Sequence, residues 1–545
     1  MTRIGKILIL SDPRHLCSSA AKTLSGRNHL LHADLVATSG NLVTLDDRRP
    51  RATALAVRGG RFVFVGDDAG ALALAGPTTR RVDLAGKTVT PGFCDAHLHL
   101  LSYGTQMVRQ ANLVDSDSVD DVLARLSDRA GRAAEGWIQG RGFDQEILRE
   151  RRFPTRQELD RVSRTRPIIV SRVCGHAVVV NSAALALVSD AERAAGDGET
   201  GLYTEKDAWA FYRRIPALDE GEQEEAALLA CRVALKTGIT SVQTLLDTPD
   251  QMAAFARLRR KGQLPIRVTG MPPCAAVETL HAHGINTTFG DDWLRFGAAK
   301  LFADGSLGAQ TALLAEPYDD KPGERGIRIY DPADLKTKAA DAQARGFQLA
   351  IHAIGDQAVR ETLDALEHAL DTGGGGDNTF HRHRIEHASL LPPDLRERMA
   401  ERQIVAVVQP QFVRSDTWTP VRVGPERARY AYPFQTMLRA GIPLALSSDC
   451  PVEKLDAFAC LAAAVGRHPW SPDETLTPAE ALRAYCLGSA YAAHAEDRLG
   501  SLEAGKLADF VVLSDDLTHL GADGIAHLQA EQVFVGGCPV SEVQP

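Results

Sequence analysis

The chain has 545 residues, 24% of them charged, and a formal net charge of −9; it is too long for one ordinary domain and ample for a barrel of about 250 residues with additions. Nothing in it matches the concentrated basic patches of polyanion binders, and no run of about 18 uninterrupted apolar residues occurs. Nucleic acid and membrane are therefore excluded as partners, and a small-molecule substrate is expected.

In chain order, residues 1–32 form an extension with no assigned role. Their apolar stretch is broken by Asp12, Pro13 and Arg14 and is too short for a signal h-region. Residues 33–90 are strand-like, with LVATSGNLVTLD and ALAVRGGRFVFVGD alternating around Gly-rich turns. The same texture returns at 490–545 in KLADFVVLSDD and AEQVFVGGCPV, so both ends are expected to build one small β-sandwich.

Between these ends, residues 91–489 carry a series of short apolar runs, each closed by a residue able to bind metal. Thr88–Phe93 leads to His97 and His99, which share a face on a strand because alternate side chains point the same way. Leu349-Ala350-Ile351 runs into His352, Arg384-Ile385-Glu386 into His387, and Pro443–Ser448 into Asp449. A barrel of alternating strands and helices collects its strand ends at one mouth, where its chemistry is done. The fold class expected is α/β, a (β/α)8 barrel.

Two segments interrupt that pattern. Residues 112–217 are more than one crossover helix needs and are read as a substrate-covering insertion. Gly373–Gly376 is a four-glycine linker expected at the surface. His281, His283 and His468 belong to no matching motif, and His381 and His383 sit in a polar stretch before the His387 run. The nine cysteines are dispersed without a CxxC pair and read as reduced thiols of a cytoplasmic protein.

The ordered set of His-x-His, His, His and Asp resembles the amidohydrolase superfamily, metal-dependent hydrolases on a (β/α)8 barrel. GRGFDQ from Gly140, GHAVVVNSAAL from Gly175, LFADGSLGAQTALL from Leu301, IHAIGDQAV from Ile351, RIEHASLL from Arg384 and SSDCPV from Ser447 resemble its family 3 branch, which includes N-substituted formamide deformylase-like proteins. The resemblance implies two divalent ions held by His97, His99, His352, His387 and Asp449. It also implies a bridging carbamate formed with CO2 on Lys300, and a homodimer. Imidazole and carboxylate donors suit zinc as the default metal.

The chemistry implied is attack of a metal-bound hydroxide on an amide, N-formyl or related C–N carbon, with Asp449 as proton shuttle. His176 is the candidate donor to the oxyanion, and Asp144, Asn181, Asp304, Ser306 and Gln409 are candidate substrate-holding residues. Relatives often carry Trp where this chain has Val179 and Arg where it has Gln310, so no aromatic or anionic substrate group follows. The alternative is a heterocycle deaminase or cyclic amide hydrolase on the same barrel. Lys300 disfavours the deaminase, because deaminases of the superfamily often lack that lysine. A metal-free binding protein is disfavoured by the complete ligand set.

Overall fold

A computed structural model of the protein describes residues 32–132, 135–173, 177–248, 250–373, 378 and 380–540. The expected extension apart from His32, the oxyanion candidate His176 and most of the Gly373–Gly376 linker lie outside those residues. The chain divides into two compact units, one made of Met1–Leu100 with Cys231–Pro545 and the other of Leu101–Ala230.

The larger unit contains two parallel sheets whose strands alternate with helices. One orders Leu294–Phe296, Arg267–Met271, Ile239–Leu245 and Phe93–Leu98; the other orders Ala299–Phe302, Leu349–Ala353, Arg384–His387, Val405–Val408 and Leu444–Leu446. Runs such as Val405-Ala406-Val407-Val408 are buried at every position, as expected for parallel strands covered on both faces. No continuous ladder closes the two sheets among the described residues. The two sheets are linked by a parallel bridge between Pro273, just after Arg267–Met271, and Lys300, and by backbone hydrogen bonds from Asp449 N to His97 O at 2.8 Å and from His99 N to Cys450 O at 2.7 Å.

The chain ends supply two further sheets to the same unit. Arg61–Gly66, Ala54–Arg58, Leu35–Thr38 and Arg80–Asp83 form one; Cys538–Pro539, Ala530–Val535, Phe510–Leu513, Thr88–Pro91, Asn41–Val43 and Arg51–Ala52 form the other. Leu35, Leu55 and Phe62 of the first share one apolar core with Leu42, Val89, Phe510 and Phe534 of the second. Phe510 and Phe534 stack at 4.2 Å.

The smaller unit has a five-stranded sheet in the order Leu202–Thr204, Ala177–Val180, Ile168–Arg172, Ile138–Phe143 and Gln110–Asn112. Its helices are locally specified. Thr155 and Glu158 form a capping box at the start of Arg156–Val162, and Ser189 and Glu192 form another at Asp190–Ala194, each satisfying backbone donors that a helix leaves unpaired. The unit encloses the 112–217 segment and extends past both its ends.

Among the described residues no helix is long and apolar enough to cross a membrane. Cys94, Cys231, Cys274, Cys450, Cys460 and Cys486 are free thiols. Cys538 is disulfide-bonded, so the expectation of reduced thiols does not extend to it.

Candidate metal centre

Two of the strand exits at the centre lie in strained backbone. His387, Ala388 and Asp449 have φ of 74°, 44° and 56°, a left-handed region that costs a non-glycine residue about 1–3 kcal/mol and recurs at functional sites. Hydrogen bonds hold them there: Ala388 N donates to Ala353 O at 3.0 Å and Asp449 N to His97 O. Opposite His97, the pairing of Phe93–Leu98 with Ile239–Leu245 slips between Val242 and Thr244, an irregularity of the kind that re-aims side chains next to active sites.

The tightest donor set is His97, His387 and Asp449, all buried, with one ligand atom from each lying within 4.8 Å of the others. His97 Nε2 stands 3.4 Å from Asp449 Oδ1. His97 Nδ1 is hydrogen-bonded to Glu386 Oε2, and His387 Nδ1 lies 2.7 Å from Gln409 Oε1. Gln409 Nε2 donates to Ser447 Oγ at 2.9 Å, which identifies the other end of that amide as the oxygen. Both histidines therefore carry their proton on Nδ1 and present Nε2 as a lone pair when neutral.

Such a lone pair on His97 meets another acceptor, because Asp449 Oδ1 is buried without a hydrogen-bond partner. Two acceptors at that separation require a proton or a cation between them. Burial and the neighbouring Lys300 oppose protonation of His97, but the Glu386 and Asp449 carboxylates outweigh them and hold it above the ordinary histidine range. Asp449 is opposed by burial and favoured by His97, His99 and Lys300, with a net downward shift. Burial, with His352, His97 and Lys300 nearby, pushes His387 far down. This donor set fits a divalent cation, whose bound ligands must be unprotonated imidazole and ionised carboxylate.

The other expected ligands flank that set. His99 Nε2 is 3.7 Å from Asp449 Oδ1 and a quarter of its side chain is exposed. The His352 ring packs 4.4 Å from His387, yet its Nε2 lies 2.9 Å from Gly305 O and 3.4 Å from Asp304 Oδ1. Burial and Lys300 push His352 down to about 3. Lys300 Nζ is buried with no hydrogen-bond partner, 4.5 Å from the centre of the Phe302 ring.

Several of the expected substrate-holding residues have their polar atoms engaged within the protein. Asp304 accepts from Leu313 N, Ile354 N and Gly355 N at 2.9, 3.0 and 2.8 Å, while burial pushes its carboxyl up to about 7. Ser306 Oγ accepts from Ala309 N at 3.3 Å. In the smaller unit Asn181 caps the helix Ser182–Leu185, accepting from Ala184 N and Ile168 N and donating to Ser163 O and Arg166 O. Asp144 accepts from Glu146 N and Arg172, each at 3.0 Å.

Sequence reasoning missed three charged residues at the centre. Glu386 and Arg384 lie within RIEH, and Asp95 lies within PGFCDAHLH. Asp95 accepts from His97 N at 3.2 Å and from Ser448 N at 3.1 Å, and burial pushes it up to about 6. A charged residue inside an apolar strand is rarely buried without a partner, and that was the available signal.

The amidohydrolase family profile matches residues 80–541. The chain is 34% identical to "Protein LONG AFTER FAR-RED 3" of Arabidopsis thaliana, covering 88% of this chain and 87% of that protein. It is 28% identical to an N-substituted formamide deformylase of Arthrobacter pascens, covering 92% and 97%. The crystal structure of an uncharacterized metal-dependent hydrolase from Pyrococcus furiosus superposes with a TM-score of 0.78 at 32% identity, covering 89% of this chain and 99% of that one. The chain belongs to the amidohydrolase family.

Proposed function

We propose that the protein is a metal-dependent hydrolase that cleaves a C–N bond in a small amide, N-formyl or related compound. The observation that carries this reading is the facing pair of bare acceptors, His97 Nε2 and Asp449 Oδ1, beside His387 in a buried site. The similarity to an N-substituted formamide deformylase supports the N-formyl class among these.

The architecture behind the proposal is a (β/α)8 barrel with a composite sandwich at 33–90 and 490–545. Its eight strands in chain order are Phe93–Leu98, Ile239–Leu245, Arg267–Met271, Ala299–Phe302, Leu349–Ala353, Arg384–His387, Val405–Val408 and Leu444–Leu446. The Pro273–Lys300 bridge and the Asp449–His97 backbone bond support closure. The candidate ligands then fall at or just beyond the ends of the first, fifth, sixth and eighth strands, with Lys300 on the fourth.

His97, His387 and Asp449 would hold one divalent ion, zinc by donor type, with His99, His352 and a carbamate of Lys300 completing a second position. A divalent ion there supplies Lewis acidity and lowers the pKa of water from about 15.7 to about 7. Burial pushes Lys300 down to about 8, so more of it than of an ordinary lysine is the neutral amine that adds CO2. Asp449 takes the proton from the attacking water and hands it to the leaving nitrogen, so that amide and water become carboxylic acid and amine. Gln409 and Glu386 hold the two imidazoles in the Nδ1–H form throughout.

The test is turnover of the zinc-loaded protein on N-formyl amines, N-acyl amino acids and cyclic ureides. Release of an organic amine from the first two classes is the expected result. Turnover confined to cyclic ureides, or ammonia as the only nitrogen product, would replace this reading.

A further inference from the structure

We propose that Arg384 is a positioning residue for the metal centre, acting through Glu386 to fix the rotation and the proton of the His97 imidazole; the inference rests on the metal-hydrolase reading above. It is carried by an unbroken chain of buried side chains that joins Arg384–His387 in one parallel sheet to Phe93–Leu98 and Ile239–Leu245 in the other.

Residues two apart on a strand share a face, and Arg384 uses that spacing to grip Glu386. Nε donates to Glu386 Oε1 at 2.5 Å and Nη2 to Oε2 at 2.9 Å. Nη2 also donates to Ala96 O at 2.6 Å, on the strand of His97. Nη1 donates to Gln243 Oε1 on Ile239–Leu245, and Gln243 Nε2 donates in turn to Ser489 O at 2.7 Å. Glu386 Oε2, held between Arg384 Nη2 and His97 Nδ1, cannot rotate away without breaking both bonds.

Stability does not account for this arrangement. Arg384 and Glu386 are 1% and 0% exposed, and an ion pair so buried contributes little compared with apolar side chains of the same volume. Orientation does account for it. A guanidinium presents a planar fork that gives a carboxylate one orientation, whereas an ammonium supplies charge without that constraint. Carboxylate partners of metal-binding histidines set tautomer and ring angle. Here the carboxylate is itself locked, from the backbone of the strand that carries the histidine.

The test is zinc affinity of the full-length protein, read by competition with a chromophoric chelator, for the wild type, Arg384→Lys, Glu386→Gln and the double variant. Each single substitution is expected to weaken zinc about 10–100-fold. The double is expected to be no weaker than Glu386→Gln alone, since an effect passing through Glu386 vanishes when Glu386 is changed. Asp509→Asn is the control: Asp509 binds the buried Arg267 at 2.6 and 2.8 Å, and its loss should lower the melting temperature without moving zinc affinity.

A second measurement needs no variant. In the cobalt(II)-loaded wild type, the His97 Nδ1 proton should give a paramagnetically shifted NMR signal that exchanges slowly with solvent. Wild-type affinity in folded Arg384→Lys, additive losses in the double, or no such signal in the cobalt protein would overturn the proposal while leaving the hydrolase reading intact. A wild type that binds no divalent ion would overturn both.

Discussion

Asp449 is asked to do two things that compete, to bind a cation and to carry a proton, and its surroundings permit both. One oxygen faces His97 without a hydrogen bond, and the net shift of its pKa is downward, so the anion is the resting form. Asp449→Asn keeps the shape and removes the proton-accepting oxygen; kcat is expected to fall by about 10²–10⁴-fold, with KM changed far less, in steady-state kinetics of the metal-loaded variant. Full turnover with metal retained would remove Asp449 from the shuttle. His97, His387 and Asp449, which the structure brings together, were candidates in sequence because each stands at the end of a short strand-like run. What each imidazole faces was not: His352 Nε2 beside Gly305 O and Gln409 bonded to His387 depend on rotations that no spacing encodes.

At the scale of elements, the ends of strands are held by side chains that sequence patterns assign only by analogy. Asp304, expected to touch substrate, accepts three backbone N–H groups and ties Leu313 to the exit of the His352 strand. Asp304→Asn turns an amide NH2 toward at least one of those donors and should cost about 1–3 kcal/mol in denaturant unfolding. Gly355 sits at the same junction, where an added Cβ would meet Leu313 O at 2.0 Å. Gly355→Ala should therefore lower stability, and a variant as stable as wild type would show that the loop yields without strain. In the smaller unit, Thr155→Ala removes the cap of Arg156–Val162 and should cost about 1 kcal/mol. Buried parallel strands could be read from sequence, since an apolar run is a local signal. The left-handed turns at His387 and Asp449 could not, because neither residue type demands them.

For the whole molecule, the two chain ends meet in one apolar core, and Phe510→Ala should destabilise the fold by about 3–5 kcal/mol. Acid and base act on opposite groups. Burial pushes His352 and His383 down to about 3, so the unfolded chain takes up protons below 6.5 that the folded chain refuses, and stability falls with falling pH across that interval. His97 is raised, so the stability it contributes is complete below its ordinary 6.5 and is lost as pH rises through its folded value. In urea titrations of the metal-free protein, His97→Gln is expected to lessen the loss of stability as pH rises above 6.5.

The most direct measurement is anomalous X-ray diffraction at the zinc edge from crystals grown with zinc. A peak bonded to His97 Nε2, His387 Nε2 and a carboxylate oxygen of Asp449 is the predicted result. Zinc bound elsewhere with those three side chains left unligated, or no peak at all, would contradict the account.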